Sequence, residues 1–277
     1  MMVSLYRGKS LIINIILSGF VFASVVGYTA GAAEAEYPGR ELYPEVPNIS
    51  IEQLYARRND VVIVDVRSSY EYKTLRIDNA LNISLADTDF SQQMAALRKK
   101  DPRQIVVYCN GKTCMKSYKA VRKCQLDGID NVLAYDAGIM DWAQKYPAAT
   151  LLLDVRLNDP GKLISKANFK KHTLSPDAFS ERLANSDDIV LDVRDRFQRE
   201  GLSIFVGREF RVYLDDTKKL DRYIDKAKRE KKGLLIYDAA GKQVLWLQYY
   251  LEDKGLRDYF FMDGGIHAYY KEMEKGL

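Results

Sequence analysis

A segment in the first half of this 277-residue chain returns, about 127 residues later, in the second. Ile63-Val64-Asp65-Val66-Arg67 recurs as Val190-Leu191-Asp192-Val193-Arg194. Val107-Tyr108, followed by a polar turn, recurs as Ile236-Tyr237 followed by Asp238-Ala239-Ala240-Gly241-Lys242. Ala137-Gly138-Ile139-Met140-Asp141-Trp142 recurs as Gly264-Gly265-Ile266-His267-Ala268-Tyr269. Three matches in one order point to duplication, so any fold open to the first half must also suit the second. The length fits two domains of ordinary size, placed at 45–147 and 173–277. A further copy of the first motif, Leu153-Asp154-Val155-Arg156, stands too close to Asp192 to begin another domain. It falls in a connector, 148–172, which also carries Asp159-Pro160-Gly161 and is read as a linker strand packed on one domain.

Inside each copy, short apolar runs alternate with helical patterns. In the first, Val61 to Val66, Ile105 to Tyr108 and Asn131 to Tyr135 read as strands. A helix with Met115, Tyr118 and Val121 on one face falls between the last two. Such alternation predicts an α/β fold, each domain a central, mainly parallel sheet flanked by helices. Ligands of such sheets sit beyond the carboxyl ends of the strands. Cys109 stands at one of those ends, opening the turn Cys109-Asn110-Gly111-Lys112-Thr113-Cys114 before the helix. Unpaired amides of a tight turn and a helix N-terminus stabilise a thiolate and hold an anion beside it.

The first 35 residues differ in kind. Arg7 and Lys9 precede an apolar stretch from Leu11 to about Ala33, which ends in small residues. The order reads either as a secretory signal cleaved after Ala32 or Ala35, or as an uncleaved membrane anchor. No Cys at the boundary marks a lipoprotein, and either alternative puts the folded part outside the cytoplasm, in the periplasm or otherwise exported. The formal charge of +4 comes from 42 basic residues spread among 38 acidic ones, with no basic arm, so nucleic acid is not an expected partner. With two histidines far apart, His172 and His267, no metal site is expected.

Three cysteines, Cys109, Cys114 and Cys124, leave at least one thiol unpaired within the chain. Cys124 lies on the apolar stripe of the helix and is expected to pack. Cys109 is either a buried apolar thiol or a nucleophile, and its polar turn favours the nucleophile. Cys114 has three open roles: resolving a Cys109 persulfide or sulfenate, tuning the loop, or packing at the helix start. Lys112, the one cation of the loop, is either the group that recognises an anion or a solvated side chain. Asp65, Arg67 and Glu71 read as supporting residues that fix loops by hydrogen bonds, and Trp142 as core.

These residues resemble the rhodanese family of sulfurtransferases, and the duplication resembles its tandem two-domain members. The resemblance is carried by Asp65-Val66-Arg67-Ser68-Ser69-Tyr70-Glu71-Tyr72 leading to Ile77 and Ala80-Leu81-Asn82-Ile83, by the Cys109 loop, and by Gly138-Ile139 with Trp142. Leu75-Arg76 and Asn79 stand where the family usually has Gly-His and Gly. It implies a two-step transfer without a cofactor. Cys109 takes the outer sulfur of a small anionic donor such as thiosulfate as a persulfide, and a thiol, a protein acceptor or cyanide then removes it. Amides from Asn110 to Cys114 would stabilise the reacting anions, with Gly111 giving the turn its freedom and Lys112 binding the donor. Asp238 occupies the Cys109 position of the second copy and Gln198 that of Glu71, so the second domain is expected to be silent, its carboxylate repelling an anionic donor. The alternatives are a non-enzymatic persulfide carrier or partner-binding module, and a Cys109/Cys114 thiol–disulfide redox protein. A phosphatase is excluded, because Met115 stands where a Cys-x5-Arg loop needs its arginine.

Overall fold

Val61-Val62-Ile63-Val64-Asp65 is buried along its whole length, as a strand must be when helices cover both faces of its sheet. Its side chains alternate between two apolar clusters. Val61 and Ile63 enter one, Val62 and Val64 the other. The computed structural model describes residues 37–194 and 203–275, and among these residues there are twelve strands, the central ones built on such runs. They are Val61–Asp65 (β1), Leu75–Ile77 (β2), Leu81–Asn82 (β3), Gln104–Tyr108 (β4), Val132–Tyr135 (β5), Thr150–Leu152 (β6), Val155–Arg156 (β7), Thr173–Leu174 (β8), Ile189–Asp192 (β9), Glu209–Arg211 (β10), Leu234–Tyr237 (β11) and Tyr259–Met262 (β12).

The first sheet has the order β3-β1-β4-β5 and is parallel throughout. Asn48 adds a parallel bridge to Ala134 at its β5 edge. The second sheet, β10-β9-β11-β12-β8, is also parallel throughout and follows the same path, with β8 in the place of the Asn48 bridge. The register agrees too: Asp65 lies opposite Tyr108 in one sheet and Asp192 opposite Tyr237 in the other. Both sheets turn one face to a shared apolar cluster, to which β1 and β4 contribute Ile63 and Val106, and β9 and β11 contribute Leu191 and Ile236. Their outer faces fill separate clusters.

The connector belongs to a third, antiparallel sheet, β2-β6-β7. The third Leu-Asp-Val-Arg copy forms its hairpin turn and last strand, with Leu153 and Asp154 at φ 48° and 67°, the left-handed values that suit a tight hairpin. The halves meet where the helix Ser69–Thr74 packs against the helix Val244–Asp253. There Ser69 Oγ donates to Asp215 at 2.7 Å, and the Tyr249 hydroxyl accepts from the Ile164 amide at 2.9 Å. No helix among the described residues is long and apolar enough to cross a membrane. The apolar segment within 1–35 and Gln198 both lie outside the described residues.

Candidate active site

Strand β4 ends at Tyr108, and the helix Lys116–Leu126 begins eight residues on, so Cys109 to Met115 bridge a strand end and a helix start. The start of the helix Gly138–Lys145 clamps this loop: Ile139 N donates to Cys109 O at 3.0 Å, and Cys114 N closes a turn on Gly111 O at 2.8 Å. Gly138, at φ +73°, lies so close that a Cβ there would stand 2.4 Å from Gly111 N. Only glycine fits that approach.

The two loop cysteines occupy different places. Cys109 is fully buried against the outer cluster of the first sheet, its thiol 3.2 Å from the Cys114 carbonyl and 3.7 Å from Ser117 Oγ. Cys114 is half-buried and lines a cleft. Burial pushes the Cys109 thiol well above its ordinary range, and the adjoining Cys114 adds to the rise. Cys114 moves the other way, down to about 6. The main cause is a hydrogen bond from the Cys109 thiol, which outweighs burial and is joined by the amides of Lys116 and Asn110 and the Lys116 charge.

Asp65, Arg67 and Glu71 reach the loop through Asn110. The buried Arg67 guanidinium grips both Asp65 oxygens, Nη2 at 2.6 Å, and donates to Asn110 Oδ1 at 3.1 Å. Asn110 Nδ2 in turn donates to Glu71 Oε1 at 2.8 Å. Glu71 is fixed by a capping box with Ser68, and Lys116 lies 3.7 Å from its other oxygen. Burial pushes the Glu71 carboxyl up, but Lys116, Arg67, Asn110 and Ser68 together hold it below the usual carboxylate range.

Between the halves lies a cleft of about 630 Å³. Its near wall includes Asn110, Thr113, Cys114, Lys116 and Lys119, and its far wall the loop Asp238–Gln243 with Trp246. Lys112 is not among the lining residues. It pairs with Asp141 at 3.3 Å and sits over the Tyr37 ring, so the cations lining the cleft are Lys116 and Lys119 on the near wall and Lys242 on the far one. Neither near-wall lysine falls within the Cys109–Cys114 loop motif. Their i, i+3 spacing in the first turn after the loop was the available signal. Trp246 was missed as well; it stacks on Arg67 at 5.0 Å, a contact between halves that no local pattern reveals.

In the far wall, Asp238 does not face the cleft as a free charge. Its carboxylate is buried and accepts from the amides of Ala240 at 3.0 Å, Gly241, Gln243 at 2.6 Å and Val244 at 3.3 Å. The expected repulsion of a donor is thus muted, because the side chain fills its own loop. Among the described residues no cluster of His, Cys, Asp and Glu could hold a metal ion.

Residues 50–145 match the profile of the family described as "Rhodanese-like domain". Among curated proteins the chain is similar to the tRNA uridine(34) hydroxylase of Bdellovibrio bacteriovorus, 30% identical over 89 residues, 32% of this chain and 25% of that protein. It is also similar to the HTH-type transcriptional regulator Rv0324 of Mycobacterium tuberculosis, 35% identical over 92 residues, 32% of this chain and 38% of that protein. The chain thus spans well under half of each relative. Among solved structures, BH2092 from Bacillus halodurans aligns at 22% identity and a TM-score of 0.35, covering 47% of this chain and 92% of that one. Thiosulfate sulfurtransferase from Pseudomonas aeruginosa aligns at 19% and 0.35, covering 81% and 44%.

Proposed function

Residues 50–145 are a rhodanese-like domain, and from that premise we propose that the Cys109 loop takes a sulfane sulfur from a small anionic donor such as thiosulfate and yields it to a thiol, a protein acceptor or cyanide. The observation that carries this is the loop itself. It holds a thiolate-stabilising set of amides beside two lysines, on the wall of a cleft large enough for the donor. A loop thiolate attacks the outer sulfur, the new S–S bond forms as the old one breaks, and sulfite leaves with the electron pair. Amides of Asn110 and Lys116 and the ammonium groups of Lys116 and Lys119 offset the charge of donor and persulfide. Asn110, held between Arg67 and Glu71, keeps the loop in that shape.

The second half fits the role of a silent copy of the same domain that walls the cleft, since a carboxylate in its nest carries no sulfur. The signal or anchor reading of 1–35 places this chemistry outside the cytoplasm, with the anchor alternative tying it to a membrane. The test is intact mass of the reduced full chain after thiosulfate, with released sulfite and sulfide assayed in parallel. Sulfur uptake or sulfide release in the wild type, lost when Cys109 and Cys114 are both replaced by Ser, supports the proposal. A wild type that shows neither with thiosulfate or with a low-molecular-weight persulfide refutes it.

A further inference from the structure

Resting on the sulfur-transfer reading, we infer that Lys242, on the Cys-less loop of the second half, is the cation that receives the departing oxyanion. The silent half thus supplies a leaving-group site to the nucleophile of the first. Direction is the first reason. Displacement at a divalent sulfur runs in line, with the attacking sulfur, the transferred sulfur and the leaving group close to a straight line. A thiolate of the Cys109 loop attacks from the near wall, so the leaving group is pushed toward the far one. There the cleft is lined by the loop Asp238–Gln243, and Lys242 is the cation of that loop.

The loop is built to carry that charge and little else. Its amides at Ala240, Gly241, Gln243 and Val244 are taken by the Asp238 carboxylate, so they are closed to an anion and fix the backbone around Lys242 before any donor arrives. No carboxylate among the described residues pairs with Lys242. On the near wall, by contrast, Lys116 is partly committed to Glu71, 3.7 Å away, and Lys119 follows it on the helix that continues the nucleophile's loop. Counted from Asp238, Lys242 holds the place that Thr113 has in the Cys109 loop, and both residues line the cleft. The two copies are thus complementary across it, a thiol loop on one side and an ammonium on the other.

The step balances. The thiolate forms a bond to the outer sulfur of thiosulfate as the old sulfur–sulfur bond breaks. Sulfite leaves with the electron pair of that bond, and a persulfide anion remains on the loop. Negative charge on the departing group grows as the bond breaks, so a cation at that end stabilises the transition state more than the bound donor. No proton need move. A thiosulfonate, in which an organic group replaces one oxygen of thiosulfate, reacts in the same way and expels a sulfinate. Met140, Leu245 and Trp246 give the cleft apolar surface for such a group. Substituted thiosulfonates all arrive with one charge, so they vary the basicity of the leaving group alone.

The experiment measures first-turnover release of sulfite from thiosulfate, and of sulfinate from a series of para-substituted benzenethiosulfonates, by the reduced full chain. It compares wild type with Lys242→Gln, Lys242→Arg, Lys119→Gln and the remote control Lys99→Gln, each checked for wild-type circular dichroism. Lys242→Gln should release sulfite about tenfold more slowly, and its rates should depend more steeply than those of wild type on sulfinate basicity. Lys242→Arg and Lys99→Gln should keep the wild-type slope, and Lys119→Gln should slow the whole series by one factor without steepening it. An unchanged slope in Lys242→Gln, or sulfite release within about twofold of wild type, overturns the inference while leaving the sulfur-transfer reading standing. So does equal steepening by Lys119→Gln. No release from any donor by the wild type overturns both.

Discussion

Replacing Arg67 by Met should destabilise the protein more than any surface change. Arg67 and Asp65 side chains are both fully buried, and the guanidinium serves the Asp65 carboxylate, the Leu75 carbonyl at 2.5 Å and Asn110 Oδ1 at 3.1 Å. Removing it leaves the carboxylate buried without its counter-charge, which costs about 3–5 kcal/mol. With a urea slope near the upper end of the usual ~1–3 kcal/mol/M, the unfolding midpoint should fall by more than about 1 M. Replacing both partners, Asp65→Leu with Arg67→Met, removes the orphaned charge, so the double variant should lie far closer to wild type than the summed losses. Urea unfolding followed by circular dichroism on all three variants reads the cycle. A loss below about 1 kcal/mol for Arg67→Met, or strict additivity in the pair, would refute the claim that this fork is a desolvated, mutually dependent unit.

Other expectations follow from the same geometry. Alkylation of Cys114 by iodoacetamide should be half-maximal near pH 6 and complete by neutral pH, since its pKa lies at about 6; Cys109→Ala should move the midpoint up by removing the largest cause, and an unmoved midpoint would count against that hydrogen bond. Gly138→Ala should cost more than about 1 kcal/mol and abolish sulfur uptake, because its Cβ strikes the Asn110–Gly111 backbone. Gly265→Ala, whose Cβ would meet Asp238 O at 2.5 Å, should cost similar stability yet retain uptake, as thermal melts with a sulfite assay would show. The depressed Glu71 pKa gives stability that is fully present above the unfolded value and lost as pH falls through the folded one. The stability difference between wild type and Glu71→Gln should therefore shrink as pH drops below about 4.3, and acid titrations of the two that run parallel would contradict it.

Much of the sheet was legible because burial on both faces leaves a strong mark. The apolar runs ending in Asp65 and Asp192 needed no partner to be recognised, and Cys109 falls at the carboxyl end of its strand as the pattern requires. The loop's own chemistry was less legible. Lys112 stood out by being inside the turn, yet whether a cation faces a ligand depends on where Asp141 and Tyr37 arrive from elsewhere in the chain. Likewise the strand end marks Cys109, but spacing alone says nothing of how deeply the two thiols of the loop are buried. That one is buried and the other faces the cleft comes from the apolar cluster behind Cys109 and the position of Cys114 on the cleft wall. The far wall, with Trp246, arises from contact between halves and carries no local signature.

The carboxylate of Asp238 has a consequence for how the cleft responds to its load. With four backbone amides already satisfied by a tethered side chain, the far loop has those donors closed to an arriving anion, and Lys242 is the charge it presents to the cleft. The Asp238 loop thus holds its shape through its own hydrogen bonds and needs no ligand to do so. Restoring a thiol at that one position would leave those amides without their resident anion, so reviving the second loop would require rebuilding its interior as well as its nucleophile.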